Sequence, residues 1–174
     1  ALATVYVRQK RYQDAAVLLK GYLDRHPADF QSQMLYLRVL VLTDDTENAR
    51  PLGRKLLAGA PHDFDVLYLN GILEREAGEY AAARDHLLEA VTLKPEDYSA
   101  RYNLGAALAH LEDTAGARRE LEKAIALDGA QAEAHFQLAA VLRAQGDSPA
   151  AQEQLKSYQE LSRASVAHSL ADTK

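Results

Sequence analysis

Histidine, aspartate and glutamate are the residues of this sequence best suited to chemistry. There are six histidines and no cysteine, so thiolate nucleophiles and thiolate metal ligands are excluded. No two histidines stand four residues apart, the spacing by which one helix presents a pair of zinc ligands. His62, Asp63 and Asp65 form a cluster, but an aspartate directly before a helix is better explained as its N-terminal cap. The cluster therefore favours a structural role over a metal site.

The sequence also lacks the common motifs of catalytic sites. The chain has no G-x-S-x-G nucleophile motif, no phosphate-binding loop and no glycine-rich dinucleotide motif. The charged segment Glu74-Arg75-Glu76 is typical of a solvated helix face. We therefore expect no enzymatic activity, no cofactor and no metal.

The composition is that of a folded chain with a modest negative charge. Hydrophobic residues make up 48% of the 174 residues and charged residues 26%, which is enough apolar surface to form a core. A net charge of −5 and a pI of about 5.7 argue against a nucleic-acid-binding protein. No run of about 18 apolar residues occurs, so no membrane insertion is expected. The compartment stays open between cytoplasm and periplasm, and 13 arginines against 7 lysines are typical of a bacterial protein from a GC-rich genome.

Helix breakers and small residues recur every 34 residues, which is the mark of a repeat architecture. Alanines hold this register throughout the chain: Ala15, Ala49, Ala83, Ala117 and Ala151. The breakers are Pro27, Pro61, Pro95 and Gly129. Between them, apolar residues follow helical spacing, interrupted near the middle of each period, as at Glu112–Thr114. Each period therefore predicts two helices joined by a turn.

Other residues that recur at the 34-residue interval are explained by the geometry of such a helical pair. Aspartates that directly follow the breakers can cap the next helix: Asp29, Asp63 and Asp97. Small residues in the first helices allow two helix backbones to approach closely: Ala3, Gly71, Gly105 and Ala139. Ser148-Pro149 indicates an N-cap followed by proline in the first turn of a helix.

These features resemble the tetratricopeptide repeat. The resemblance is carried by Tyr102–Gly105, by Gly78–Tyr80 with Ala83, and by Ala90–Pro95. The family's tryptophan is absent, and its position holds other residues: Gln33, Leu67, Arg101 and His135. The resemblance implies an all-α fold, an α-solenoid of antiparallel helix pairs that forms a right-handed superhelix.

The chain divides into five repeats, numbered 1 to 5 in chain order. They are a truncated unit at 1–29 and full units at 30–63, 64–97, 98–131 and 132–165. We expect the natural protein to extend upstream, because repeat 1 starts inside a first helix. In repeat 2, Pro51 and Gly53 fall inside the second helix and predict a distortion, and Leu37 fills a usually small slot. Residues 166–174 form a helix extension or a frayed tail, because Arg163 stands where the last breaker is expected.

The resemblance also implies a concave surface, lined by first helices, that holds an extended peptide or a helix of a partner protein. The candidate peptide-binding residues are Met34, Arg38, Tyr68, Arg75, Tyr102, His110, Phe136 and Arg143. Aromatic residues and arginine are favoured anchors in protein interfaces. Two alternatives remain open, since the aromatic residues can instead pack on a neighbouring helix and the arginines can be solvated.

The predicted function is a protein-interaction scaffold that binds a partner peptide or helix. The carboxylate-binding residues of chaperone-binding family members are missing, because only Asn103 matches their pattern. The alternative is a self-associating module or a spacer within a larger multidomain protein, because Leu2, Val5 and Tyr6 predict an exposed apolar edge. The oligomeric state is predicted as monomer or weak homodimer.

Overall fold

Ten helices and no strand make up the part of the chain that the structure describes. The computed structural model describes the backbone of residues 2–171 and the side chains of residues 2–167. The helices are α1 (Leu2–Arg8), α2 (Tyr12–Leu23), α3 (Phe30–Leu42), α4 (Thr46–Gly59), α5 (Phe64–Glu76), α6 (Tyr80–Leu93), α7 (Tyr98–His110), α8 (Thr114–Leu127), α9 (Ala132–Ala144) and α10 (Ser148–Ala171). Helix α10 includes most of the predicted extension, and residues 172–174 of the predicted tail lie outside the described residues.

Helices adjacent in sequence pack against one another as hairpins. Within repeats, α1 packs on α2, α3 on α4, α7 on α8 and α9 on α10. Between repeats, α2 packs on α3, α4 on α5 and α8 on α9. The fold class is therefore the predicted one, all-α with antiparallel helix pairs of solenoid type. The chain divides into two compact units, the first ending at Ala90 and the second beginning at Val91.

Aspartates cap both sets of helices. Those after the helix breakers accept a hydrogen bond from a backbone N–H three residues later, as predicted for Asp29, Asp63 and Asp97. A second set caps the second helices of repeats 2, 4 and 5: Asp45, Asp113 and Asp147. The predicted cap Ser148 is wrong, because Ser148 is already helical and the N–H of Ala150 bonds to Asp147 at 3.3 Å.

The turn between the two helices of each repeat has one residue in the left-handed region. These residues lie 34 positions apart: Lys10 (φ 57°), Asp44 (φ 56°), Gly78 (φ 77°), Glu112 (φ 62°) and Gly146 (φ 82°). Glycine adopts this conformation without crowding, because it has no Cβ atom. Three of the five turns therefore hold a side chain in a backbone conformation that favours glycine.

Close helix contacts explain the small residues of the first helices. A Cβ atom on Gly71 would lie 2.5 Å from Leu87 Cγ, and one on Gly105 would lie 2.7 Å from Leu121 Cγ. Repeat 2 reverses the sizes at these two positions, with Leu37 in the first helix and Gly53 in the second. Both departures of repeat 2 from the pattern thus belong together, because a large residue in one slot accompanies a glycine in the other.

Helix α4 runs through Pro51 and Gly53 without interruption, so neither residue ends it. Pro51 lies in the second turn, and the N–H that proline lacks would have bonded to the carbonyl of exposed Glu47. Gly53 is approached closely by Asn70 of α5, whose Nδ2 donates a hydrogen bond to the Gly53 carbonyl at 3.1 Å. Glycine at position 53 therefore allows α5 to approach α4 closely.

The residues in the family's tryptophan position hold the loop that precedes their own helix. In repeats 2, 4 and 5 the side chain donates a hydrogen bond to the carbonyl of the helix-breaking residue six positions earlier. The pairs are Gln33 with Pro27, Arg101 with Pro95, and His135 with Gly129. The polar replacements thus fasten the connection between consecutive hairpins.

Candidate functional site

The first helices of repeats 2 and 3 form a cleft in the first compact unit, where α3 contacts α5. Its volume is about 200 Å³, and it is lined by Phe30, Gln31, Met34, Leu35, Arg38, Asp63 and Asp65. Arg38 Nη2 donates a hydrogen bond to Asp65 Oδ1 at 2.8 Å, and both side chains are about half exposed. The cleft therefore combines apolar side chains with polar ones, which include a partly solvated ion pair.

Met34 and Tyr68 both contact the core of repeats 2 and 3. Met34 is only 9% exposed and belongs to the core of repeats 2 and 3, although it also lines the cleft. Tyr68 packs against the same core and stacks on Phe64 with ring centroids 5.9 Å apart. Both side chains thus have structural contacts, whatever they bind.

Arg75 lies near the C-terminal end of α5, in an acidic environment. Its guanidinium group is 3.7 Å from the Glu76 carboxylate. Burial raises the pKa of Glu76, Arg75 opposes that shift, and Asp44 adds to it. Arg75 therefore partly compensates the Glu76 carboxylate.

An aromatic pair marks the first helix of repeat 4 in the second compact unit. The rings of Tyr98 and Tyr102 stack with centroids 6.1 Å apart and planes 7° from parallel. Burial raises the pKa of Tyr98 to about 12, with smaller contributions from Tyr102 and from the carboxylates of Glu133 and Asp128. The carboxylate of Glu133, on α9, is therefore close enough to act on the Tyr98 phenol of α7.

Phe136 is the most exposed aromatic ring among the predicted site residues. It is 48% exposed, and its ring centroid lies 5.2 Å from that of Tyr158 on α10. Arg143 is exposed in the last turn of α9, and His110 is exposed in the last turn of α7. Phe136 and Arg143 are therefore exposed to solvent in the folded protein.

The structure places the predicted residues in two groups. Met34 and Arg38 share the cleft between α3 and α5, whereas Tyr102 and Phe136 lie on the contacting helices α7 and α9. Sequence reasoning missed the aromatic residues that precede the predicted ones by four positions: Phe30, Phe64 and Tyr98. Their signal was present, because they share the 34-residue interval and residues four apart face one another on a helix.

The residues that the structure describes show neither a metal-binding cluster nor a membrane-spanning helix. Within them, no group of three or more histidine, aspartate or glutamate side chains is arranged to hold a metal ion. None of the described helices is both long and apolar enough to cross a membrane. The surface features of the first helices are instead clefts, stacked rings and charged side chains, which suit contact with another protein.

Helical hairpins that recur every 34 residues and carry such first-helix surfaces define a protein-interaction scaffold, a class that is typically non-enzymatic. The chain belongs to the tetratricopeptide repeat family. One family model described as tetratricopeptide repeat matches residues 1–64 and 68–131, and a second with the same description matches residues 129–156. No curated protein matches the sequence.

Solved structures with the same fold include several of MamA. MamA 41-end from Desulfovibrio magneticus RS-1 is 23% identical, with 94% of this chain and 92% of that chain covered and a TM-score of 0.79. MamA from MSR-1 is 22% identical, with 94% of each chain covered and a TM-score of 0.77. A further MamA crystal structure is 17% identical, with 96% and 98% covered and a TM-score of 0.77. At these identities the likeness shows the fold.

Proposed function

We propose that this scaffold binds a peptide or helix of a partner protein on the surface formed by its first helices. The observation that carries the proposal is the cleft between α3 and α5, in which Phe30, Met34 and Leu35 lie beside the Arg38–Asp65 ion pair. Such a cleft offers burial for an apolar side chain and hydrogen bonds for a polar one, the combination found at interface hot spots.

The second compact unit supports the same proposal with different residues. Phe136 and Arg143 expose an aromatic ring and a guanidinium group on one first helix, α9. Both residue types are enriched among the side chains that dominate binding energy, because they remove a large area from water. Their exposure allows them to be replaced at little cost to the fold.

The experiment is affinity capture from the native lysate with three forms of the protein. The groove variant is Phe136→Ala/Arg143→Ala, and the matched control is Val166→Ala/Arg163→Ala on the second helix α10. Both variants remove one exposed apolar side chain and one exposed arginine from the second compact unit. Circular dichroism establishes that each is folded.

We expect a partner that the parent and the α10 control retain and the groove variant loses. The groove variant should weaken binding by about 2 kcal/mol or more if either residue is a hot spot. Equal recovery of the partner on all three forms would contradict binding through the second compact unit, and equal recovery on Arg38→Ala as well would contradict the proposal. Reciprocal capture, with the identified partner as bait, then distinguishes specific binding from carry-over.

Self-association is a second candidate function, favoured by the apolar surface of repeat 1. Leu2, Leu18 and Tyr22 are all exposed and line a cleft between α1, α2 and the start of α3. Two apolar surfaces of this kind can bury one another in a dimer. Light scattering should show a mass that rises with concentration in the parent and stays monomeric in Leu18→Lys, whereas a parent that stays monomeric would exclude this candidate.

A further inference from the structure

The position of Asp65, which forms an ion pair in the first compact unit, is occupied in the second compact unit by a carboxylate without a described ion pair. In the first compact unit, Arg38 of α3 bonds to Asp65 of α5 at 2.8 Å. Two repeats later the equivalent positions hold Ala106 on α7 and Glu133 on α9. Glu133 is exposed and forms no ion pair with any residue that the structure describes.

Neighbouring residues on α9 do not neutralise Glu133. The positions one turn further along are Phe136 and Gln137, which carry no charge. Arg143 lies ten residues on, which is about 15 Å along a helix axis and beyond the range of a direct ion pair. Asp128, which acts on the same phenol as Glu133, adds a second negative charge. Glu133 and Asp128 therefore bring two negative charges near the Tyr98 phenol.

Aromatic rings accompany the carboxylate, as apolar side chains accompany Asp65. Phe30 and Met34 line the cleft that contains the Arg38 guanidinium group. Their equivalents on α7 are Tyr98 and Tyr102, whose rings stack on one another. The raised pKa of Tyr98 supports the placement of Glu133 beside these rings. Electron-rich ring faces next to a carboxylate attract cations, and an arginine plane can also stack on them.

We propose that Tyr98, Tyr102 and Glu133 form a pocket for an arginine or lysine side chain of the partner. The cation of the partner takes the role that Arg38 has beside Asp65 in the first compact unit. Arginine is favoured over lysine, because its planar group can bond to the carboxylate and stack on a ring at once. The inference rests on the proposed function, since the partner segment must lie on the first helices.

Chemical-shift titration by NMR tests the pocket with defined probes. The first probe is the peptide acetyl-Gly-Gly-Arg-Gly-Gly-amide, and the second has citrulline in place of arginine, with the same shape and no charge. We expect the arginine peptide to shift amide signals of α7 and α9, and the citrulline peptide to leave them in place. Glu133→Gln should weaken the response about threefold, as the loss of one partly solvated ion pair predicts.

Arg38→Ala is the complementary variant, because it frees Asp65 beside Phe30 and Met34. We expect the arginine peptide to shift signals of α3 and α5 in this variant and not in the parent. Ala106→Arg is a less suitable test, because the Ala106 methyl group is only 2% exposed and a large side chain there can prevent folding. Circular dichroism checks that Glu133→Gln and Arg38→Ala retain the parent's helix content.

Three results would overturn the inference: equal shifts with the citrulline peptide, an unchanged response in Glu133→Gln, or no new response in Arg38→Ala. Failure of the proposed function has a different signature. A captured partner that the Phe136→Ala/Arg143→Ala variant loses and Glu133→Gln retains in full would refute the cation pocket alone. A partner retained equally by both variants and by Arg38→Ala would refute binding on the first helices altogether.

Discussion

At the scale of single residues, the pKa of the stacked, partly buried Tyr98 phenol depends on its surroundings. Its pKa is raised from 10.0 to about 12, first by burial and then by Tyr102, Glu133 and Asp128. The folded state therefore keeps its proton where the unfolded state loses it. The resulting contribution to stability is fully present below about pH 10 and is lost as the pH rises through about 12.

We predict that Tyr98 ionises after most of the nine tyrosines in the folded protein. Ultraviolet absorbance of tyrosinate should show a late component that Tyr98→Phe removes. Glu133→Gln should move that component to lower pH, because one negative neighbour is lost. A titration curve unchanged in Tyr98→Phe would show that the phenol is more solvated than the structure indicates.

Glycine positions give the second prediction, in which one substitution has opposite effects at two sites. Gly71→Ala places a methyl group 2.5 Å from Leu87 Cγ, and Leu87 is fully buried. We expect it to destabilise the protein by about 2 kcal/mol through overpacking. Gly21→Ala meets nothing within 4 Å in α2 and should stabilise it by about 0.5 kcal/mol.

Urea unfolding followed by circular dichroism measures both changes. The Gly21→Ala variant is the control, because it tests helix propensity without a steric contact. An unchanged midpoint for Gly71→Ala would mean that the Leu87 side chain can move aside without loss.

At the scale of helices and hairpins, a largely buried ion pair joins the two helices of repeat 4. Arg101 of α7 and Glu120 of α8 have side chains only 11% and 10% exposed, and Arg101 Nε also donates to the Pro95 carbonyl at 2.6 Å. Lys123 approaches Glu120 at 3.1 Å as well. One arginine thus joins the two helices of a hairpin to the loop before them.

We predict that Arg101→Leu destabilises the protein by about 3 kcal/mol, because it leaves a largely buried carboxylate with weaker compensation. The double variant Arg101→Leu/Glu120→Leu should recover most of that loss. Leu67, the equivalent of Arg101 in repeat 3, shows that this position accepts a buried leucine. Denaturant unfolding gives both values, with exposed Arg163→Ala as the control. A double variant as unstable as the single one would show that packing, not charge, determines the loss.

Most helices of this fold could be predicted from the sequence, because each boundary depends on a local residue. Asp29, for example, follows the helix breaker Pro27 and caps the next helix by accepting a hydrogen bond from the N–H of Ser32, three positions later. The left-handed backbone at Lys10, Asp44 and Glu112 was not foreseen, because their residue types do not require it. Gly78 and Gly146 at the same interval were the available signal.

At the scale of the whole molecule, the repeats share their helix-forming pattern and differ in the contacts between first helices. The candidate site could be predicted as a set of positions, since Tyr102 and Phe136 follow from the repeat register. Its chemistry could not, because the bond between Arg38 and Asp65 joins residues 27 positions apart on separate helices. Buried Met34 illustrates the same limit, since the register does not reveal how far a side chain enters the core.

The last prediction concerns the stability of the complete repeat array. Lys10, Asp44 and Glu112 each hold a left-handed backbone conformation in a separate turn. Replacement by glycine removes the crowding of the Cβ atom and should stabilise each turn by about 1 kcal/mol, net of the greater freedom of the unfolded chain. The triple variant should then gain nearly the sum, because the stability of a repeat protein is approximately additive over its repeats.

Thermal and urea unfolding of the three single variants and the triple variant measure this additivity. Glu153→Gly, an exposed substitution inside α10, is the control and should destabilise by about 1 kcal/mol, because a helix interior has no need of left-handed backbone. A loss of stability in Glu112→Gly would mean that its turn is not strained. A triple gain well below the sum would mean that these turns depend on one another, and that a local conformation repeated along the sequence does not contribute independently to the stability of the whole.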